Sequence, residues 1–231
     1  MEREPLRTGL NDSAIVGLLS SLALLDGPAA RPSFVPGIGR WLGWADAIAL
    51  STALHSPPHG AAASARWDAS APQCEREFER VRAALVQSIE ADVSAGSWQV
   101  AAKADKLDFR TCRQRYVALQ QMMQAAIEPL RAQLRAAVAR RSPAMHRLAS
   151  LDAALDKVLA ARELDLLALM PTLLESHFER LRHAANEPSS ADWQAVFRKD
   201  MQRLLRAELE LRLQPVLGLI GALRSQPQGS S

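Results

Sequence analysis

Aromatic side chains are scarce in this chain of 231 residues: they make up 5% of it, and Tyr116 is the single tyrosine. Sandwiches and barrels lean on aromatic and β-branched residues, so an all-β fold is disfavoured. Lysine is nearly missing too. Lys103, Lys106, Lys157 and Lys199 are the only four, and arginine carries almost all of the 28 positive charges. Arginine binds phosphate and carboxylate bidentately, although a GC-rich coding sequence gives the same bias. Against 25 acids the formal net charge is only +3, too small a surplus to define a function by itself. Cys74 and Cys112 lie far apart and form no CxxC pair, so neither a stapled secreted scaffold nor a zinc site is marked. Reduced thiols and a cytoplasmic location are the expectation.

Long apolar runs are absent as well. Ala14 to Leu25 is short of the roughly 20 residues that cross a bilayer. Glu2, Glu4 and Asp12 precede it and Asp26 closes it, which argues against an export signal. Motifs of chemistry are equally thin. Gly37, Gly39 and Gly43 are spaced one residue too long for a dinucleotide loop, and no apolar strand precedes them. There is no phosphate-binding GxxxxGK[ST] and no Gly-x-Ser-x-Gly elbow. His55 and His59 have ligand-like spacing, but Pro57 and Pro58 stand between them in a linker. Glu175, Glu179 and His183 share one helix face, which reads as a solvated edge beside Arg180 and Arg182. No catalytic residue, metal ligand or cofactor is expected, and the chain reads as non-enzymatic.

What is present is helix-forming material. Hydrophobic residues are 48% of the chain and charged residues 23%, enough for a core, and Ala, Leu, Arg, Glu and Gln dominate. The reading is all-α: a multi-helix bundle with a long antiparallel helical hairpin and no sheet. Residues 1–56 form an N-terminal helical subdomain, with Ile15, Leu18, Leu19 and Leu22 on one face and a second helix carrying Trp41, Trp44 and Ile48. Residues 57–73 are a flexible linker rich in Pro, Ala and Ser, 74–223 the main bundle, and 224–231 a disordered tail.

Within the bundle, Phe78, Val81, Leu85, Ile89 and Val93 predict a helix from Glu75 to about Ala95. Tyr116, Leu119, Met123, Ile127, Leu130, Leu134 and Val138 predict a rod from about 112 to 141, which Pro129 should kink or split. Ser142 caps the next helix with Pro143 at its first position, and Leu148, Leu151, Leu155, Val158, Leu159, Leu166 and Leu169 keep the spacing. Two such helices joined by a short turn predict the hairpin, packed either as an ordinary bundle or as a coiled coil. Pro171 starts a further helix with Leu174, Phe178 and Leu181 facing inward. A last helix, from about 191 to 213, carries Trp193, Phe197, Met201, Leu204 and Leu205, with a kink expected at Pro215.

One charge feature stands out. From Arg110 to Arg147 the bases are Arg110, Arg113, Arg115, Arg131, Arg135, Arg140, Arg141 and Arg147, and Glu128 is the only acid, a local +7. This is either an electropositive ridge for a nucleic-acid backbone, an anionic membrane surface or an acidic partner, or a set of arginines paired with Asp152, Asp156, Glu163 and Asp165 of the following helix. Trp41, Trp44 and Ile48, with the tail Val216 to Leu223, are candidate anchors for a partner protein if exposed, and core if not.

The segment Trp41-Leu42-Gly43-Trp44-Ala45-Asp46-Ala47-Ile48 and the run Tyr116, Gln120, Met123, Ile127, Pro129-Leu130-Arg131 resemble a proteobacterial domain-of-unknown-function family. Leu148-Ala149-Ser150-Leu151-Asp152, Pro171 with Leu174 and Phe178, and Leu213-Gln214-Pro215-Val216 continue the likeness over nearly the whole chain. The resemblance carries no catalytic residues. It implies the accessory component of type III Zorya anti-phage systems, which accompanies MotA/MotB-like membrane motor proteins. The expectation is therefore an adaptor with protein partners among such components, with nucleic acid as the alternative partner and self-association open.

Overall fold

The computed structural model describes residues 18, 47–48, 50–52, 70–94, 107–185 and 193–225, with backbone alone at 92–94 and 161–166. The remainder of the N-terminal subdomain and most of the linker lie outside the described residues, as do Val93 and Leu166 as side chains. Five helices of the bundle follow in order: α1 (Ala71–Ser94), α2 (Phe109–Ala139), α3 (Pro143–Ala168), α4 (Met170–Ala184) and α5 (Trp193–Arg224). No strand occurs among the described residues, and the chain is all-α.

Local chemistry sets the helix starts. α1 begins four residues before the expected Glu75, so the last residues assigned to the linker are helical. Ser70 opens it as a capping box, its backbone N–H donating to Gln73 Oε1 at 2.9 Å. Pro72 falls in the first turn, where its missing N–H costs nothing. Asp108 caps α2 by accepting the Arg110 N–H, which moves that start forward to Phe109. Ser142 Oγ accepts the Met145 N–H at 3.2 Å and Pro143 opens α3. α3 ends at Ala168 and Leu169 makes the turn, with Pro171 inside the first turn of α4.

The other two prolines do not divide their helices. α2 runs unbroken through Pro129, and α5 through Pro215. Proline removes one i to i−4 hydrogen bond. At Pro129 both the proline and Ala125, whose carbonyl loses its donor, are exposed, so water can satisfy the group. α5 also carries the helix past the expected end at 213 and one residue into the tail, to Arg224.

α2 and α5 lie parallel at the centre, as the pairs Tyr116 with Glu208 and Gln124 with Arg212 require. At 1.5 Å per residue each is a rod of roughly 45 Å. α1 packs antiparallel to α5, tied on the surface by Glu75 to Arg224 (2.6 Å), Arg82 to Glu210 (3.2 Å) and Glu90 to Arg206. α3 returns antiparallel to α2, completing the expected hairpin. All seven predicted apolar positions of α2 are buried, as are Phe78, Val81, Leu85 and Ile89 of α1. α4 folds back over the start of α5, where Phe178 meets Phe109, Trp193 and Phe197 at ring separations of 5.5, 5.2 and 5.0 Å. The edge-on geometry of the last two suits the aromatic quadrupole.

α3 departs from the sequence pattern. Its leucines do not form the seam with α2. Of its described residues only Ala149 and Leu167 are buried hydrophobics, whereas Leu148 is exposed and Leu151, Leu155, Val158 and Leu159 are part-buried. Asp152 and Asp156 face α2 instead, reaching Arg131 and Arg135. The face of α3 turned to α2 is thus the one that carries Asp152 and Asp156, rather than the leucine row.

Candidate functional site: hairpin arginines and two buried polar clusters

The hairpin arginines fall into three groups. Arg131 and Arg135 are locked in a four-membered cluster with the next helix. Arg131 holds Asp152 Oδ1 at 2.7 Å and Asp156 Oδ1 at 2.6 Å, and Arg135 holds Asp156 Oδ2 at 2.6 Å and Asp152 Oδ2 at 3.2 Å. All four side chains are largely removed from solvent, so these charge-assisted bonds hold the hairpin together. The side chains of Glu163 and Asp165 lie outside the described residues. Arg110 and Arg113 are exposed at the start of α2, where with Gln114, Val117, Ala118 and Gln121 they line a shallow groove of about 400 Å³. Arg115, nearby, is half-buried. Arg140, Arg141 and Arg147 are exposed at the hairpin tip, a helix length away. Exposed arginines therefore lie at the two ends of the hairpin, and the carboxylate-paired ones in its middle.

The tip arginines act on Cys74, which is buried beneath them. Burial pushes its thiol up from the ordinary value, and the charges of Arg141 and Arg140 offset only part of that. A protonated, covered thiol is a poor nucleophile. Cys112 is buried likewise, its thiol donating to the Asp108 carbonyl at 3.4 Å, and the two cysteines form no disulfide.

Two buried polar clusters escaped the sequence reading. In the first, Glu208 is fully buried between α2 and α5. Tyr116 donates to its Oε2 at 2.8 Å, Gln120 Nε2 bridges both oxygens at 3.0 Å, and Arg212 donates from Nη2 at 2.8 Å. Arg212 also reaches Gln124 Oε1 at 3.0 Å, and Gln120 donates to the Leu167 carbonyl at 3.2 Å. Burial and the facing Glu208 charge hold the Tyr116 phenol well above its ordinary range. The carboxylate is saturated with donors, which is what a buried charge needs to persist. A signal was present: Glu208 and Arg212 are one turn apart on the same stripe as Met201, Leu204 and Leu205, on a face that otherwise goes inside.

In the second, His177 Nε2 and Asp200 Oδ2 are 3.0 Å apart, and each residue is 6% exposed. An Arg180 guanidinium N–H lies 3.4 Å from Nδ1. Arginine only donates, so Nδ1 accepts and the proton on Nε2 points at Asp200. Arg203 adds a longer contact to Asp200 at 3.4 Å. This pair joins α4 to α5 within the fold. Glu179, by contrast, sits at the edge of α4 between Arg182 (2.6 Å) and His183 (3.9 Å). Among the described residues no group of three His, Cys, Asp or Glu is placed to hold a metal, and His55 and His59 lie outside them.

Of the candidate anchors, Ile48 is 50% exposed on a helical segment, and Trp41 and Trp44 lie outside the described residues. In the tail patch, Val216, Leu219, Ile220 and Leu223 are core and Leu217 is exposed. No described helix is long and apolar enough to cross a membrane.

No curated protein and no solved structure matches the chain. The family model described as "Protein of unknown function (DUF3348)" does match, over residues 1–225, and the chain belongs to that family.

Proposed function

We propose that this protein is a non-enzymatic helical adaptor. Its polar groups with chemical potential, Tyr116, Glu208, His177 and Asp200, are spent inside the bundle on one another. Its exposed arginines, the exposed Leu148 of α3 and the part-buried leucines beside it are what it offers to solution. That division carries the proposal: the exposed arginines are available for recognition, and the two polar clusters built on Glu208 and His177 are enclosed. Orientation of a partner comes from the arginines and binding energy from a few apolar anchors.

The likeness of its motifs to the accessory component of type III Zorya systems supports a finer version. In it, the protein is a cytoplasmic partner of a MotA/MotB-like membrane motor in anti-phage defence. Co-purification of the tagged full chain from its native host, followed by mass spectrometry, tests this. Recovery of motor or other defence components is the expected result, and recovery of no specific partner overturns it.

A second reading is favoured by the five exposed arginines at the hairpin ends: the chain binds a nucleic-acid backbone. Such binding depends on phosphate and weakens steeply with salt. A salt titration of duplex binding, with Arg140, Arg141 and Arg147 changed to Glu, separates the readings. Loss of duplex affinity in that variant supports the second, and no retention of duplex at low salt removes it.

A further inference from the structure

We propose that the leucine face of α3, bordered by Arg147, is the seat of a partner protein's amphipathic helix whose apolar stripe is flanked by acidic residues. The inference rests on the adaptor reading and specifies its docking surface.

The face is a consequence of the Arg131/Arg135 cluster. With Asp152 and Asp156 turned onto α2, the row Leu148, Leu151, Leu155, Val158 and Leu159 lies to one side of that contact, with Leu148 and Leu159 nearest Asp152 and Leu151 and Val158 furthest round the helix. Leu148 keeps 40% of its surface exposed. The other four are part-buried, yet belong neither to the core nor to the part-buried ring packed against it. Their steps of three and four make a ridge that fits the groove of another helix.

Charge selects the partner. The two carboxylates nearest the row are consumed by Arg131 and Arg135. Arg147 is left exposed beside Leu148, and Arg140 and Arg141 are exposed across the turn. The border at the Leu148 end of the row is therefore cationic, and complementary flanks there are glutamate or aspartate. A helix is favoured over a bilayer surface for two reasons. Leu151, Leu155 and Leu159 are recessed, and α3 has no aromatic residue to anchor in a headgroup layer. Ala154, on the flank beside Arg147, also permits close approach of a second helix.

The test places a photoreactive amino acid at Leu148, and separately at Ala154, in the full chain produced in its native host. A control site at exposed Gln87 on α1 reports background. The expected adduct at both α3 sites is a peptide of another protein with leucines at helical spacing and acidic flanks. Its yield should fall about threefold with Arg147→Glu, the scale of an exposed charge pair, while helical circular dichroism is unchanged. Attachment to residues 14–25 of the same molecule, to a second isotope-marked copy or to lipid would overturn the inference, as would a yield indifferent to Arg147. Absence of an α3 adduct while a partner still co-purifies sinks this surface and leaves the adaptor reading standing. Absence of any co-purifying partner sinks that reading instead.

Discussion

Tyr116 and Glu208, separated by 92 residues, meet at 2.8 Å in a place with no access to solvent. Their bond fixes the axial register of α2 against α5, because a shift of one turn would strand a buried carboxylate. Tyr116→Phe removes one donor to that charge and should cost about 2 kcal/mol, the scale of a hydrogen bond to an ionised group. Glu208 then retains Gln120 and Arg212. Urea unfolding of the two proteins measures the difference, and a Tyr116→Phe variant of equal stability would show that the bond contributes nothing.

The same residue sets an alkaline limit. Burial and the Glu208 charge raise the Tyr116 pKa in the folded state, whereas in the unfolded chain it titrates near 10. Above about pH 10 the unfolded state therefore holds fewer protons than the native one, and stability falls as pH rises. Below that pH the contribution is constant. Since Tyr116 is the only tyrosine, tyrosinate absorbance reports this site alone. It should appear together with loss of helical circular dichroism, and the Tyr116→Phe variant should show a shallower alkaline decline in stability. Tyrosinate forming near pH 10 with the helices intact would contradict the assignment.

Arg131 and Arg135 are a poor place to test phosphate binding, because they already hold α3. Asp152→Asn weakens two arginine contacts at a largely covered site, and a loss of about 2 kcal/mol is expected. A double-mutant cycle with Arg131→Gln should give a coupling of about 1 kcal/mol, since the groups are in direct contact. Additive effects in that cycle would mean that the cluster is incidental. For nucleic acid the informative substitutions are at Arg140, Arg141 and Arg147, whose charges are exposed.

How far the sequence could be read follows from what each helix packs against. The apolar row of α2, from Tyr116 to Val138, was legible because that helix is central and its stripe has nowhere else to go. The caps at Asp108 and Ser142 use local chemistry, yet only Ser142 was anticipated, since Leu107 and Phe109 do not by themselves show the period that begins at Cys112. Pro129 does not split α2, because the cost of a proline depends on where the orphaned carbonyl points, which spacing does not tell. α3 was misoriented for a different reason. Leucine period gives a face but not its target, and the ion cluster of Arg131, Arg135, Asp152 and Asp156 decides the target here. The pairing of those arginines with the next helix was foreseen as one of two alternatives. Its consequence for the leucines was not. Glu208 and His177 escaped because long-range partners decide whether a charge on an apolar stripe is buried.

Gly218 and Gly221 lie inside α5, and a Cβ built at either meets nothing within 4 Å. Glycine in a helix costs up to about 1 kcal/mol relative to alanine, through the freedom it has in the unfolded chain. Gly218→Ala and Gly221→Ala should therefore each stabilise the protein by roughly 0.5 to 1 kcal/mol. They should act additively unless the helix end is frayed. Thermal melts of the two single variants and the double check this, and a lower melting temperature would mean that the added methyl meets a contact within the protein.

The turned α3 makes the sharpest contrast between sequence pattern and packing. Leu134 and Leu155 occupy equivalent places in their heptad-like rows, yet Leu134 is 1% exposed in the core and Leu155 is only part-buried outside it. Leu134→Ala empties a closed site and should cost roughly 3 to 5 kcal/mol, transfer and cavity terms together. Leu155 is part-buried outside the core, and the same change should cost about 1 kcal/mol. Denaturant midpoints for the two variants at equal m-value give the comparison directly. Equal losses would return the α3 leucines to the hairpin seam and remove the surface on which partner docking was argued. A small loss at Leu155 accompanied by a large loss of partner binding would show that the row is kept apolar for docking.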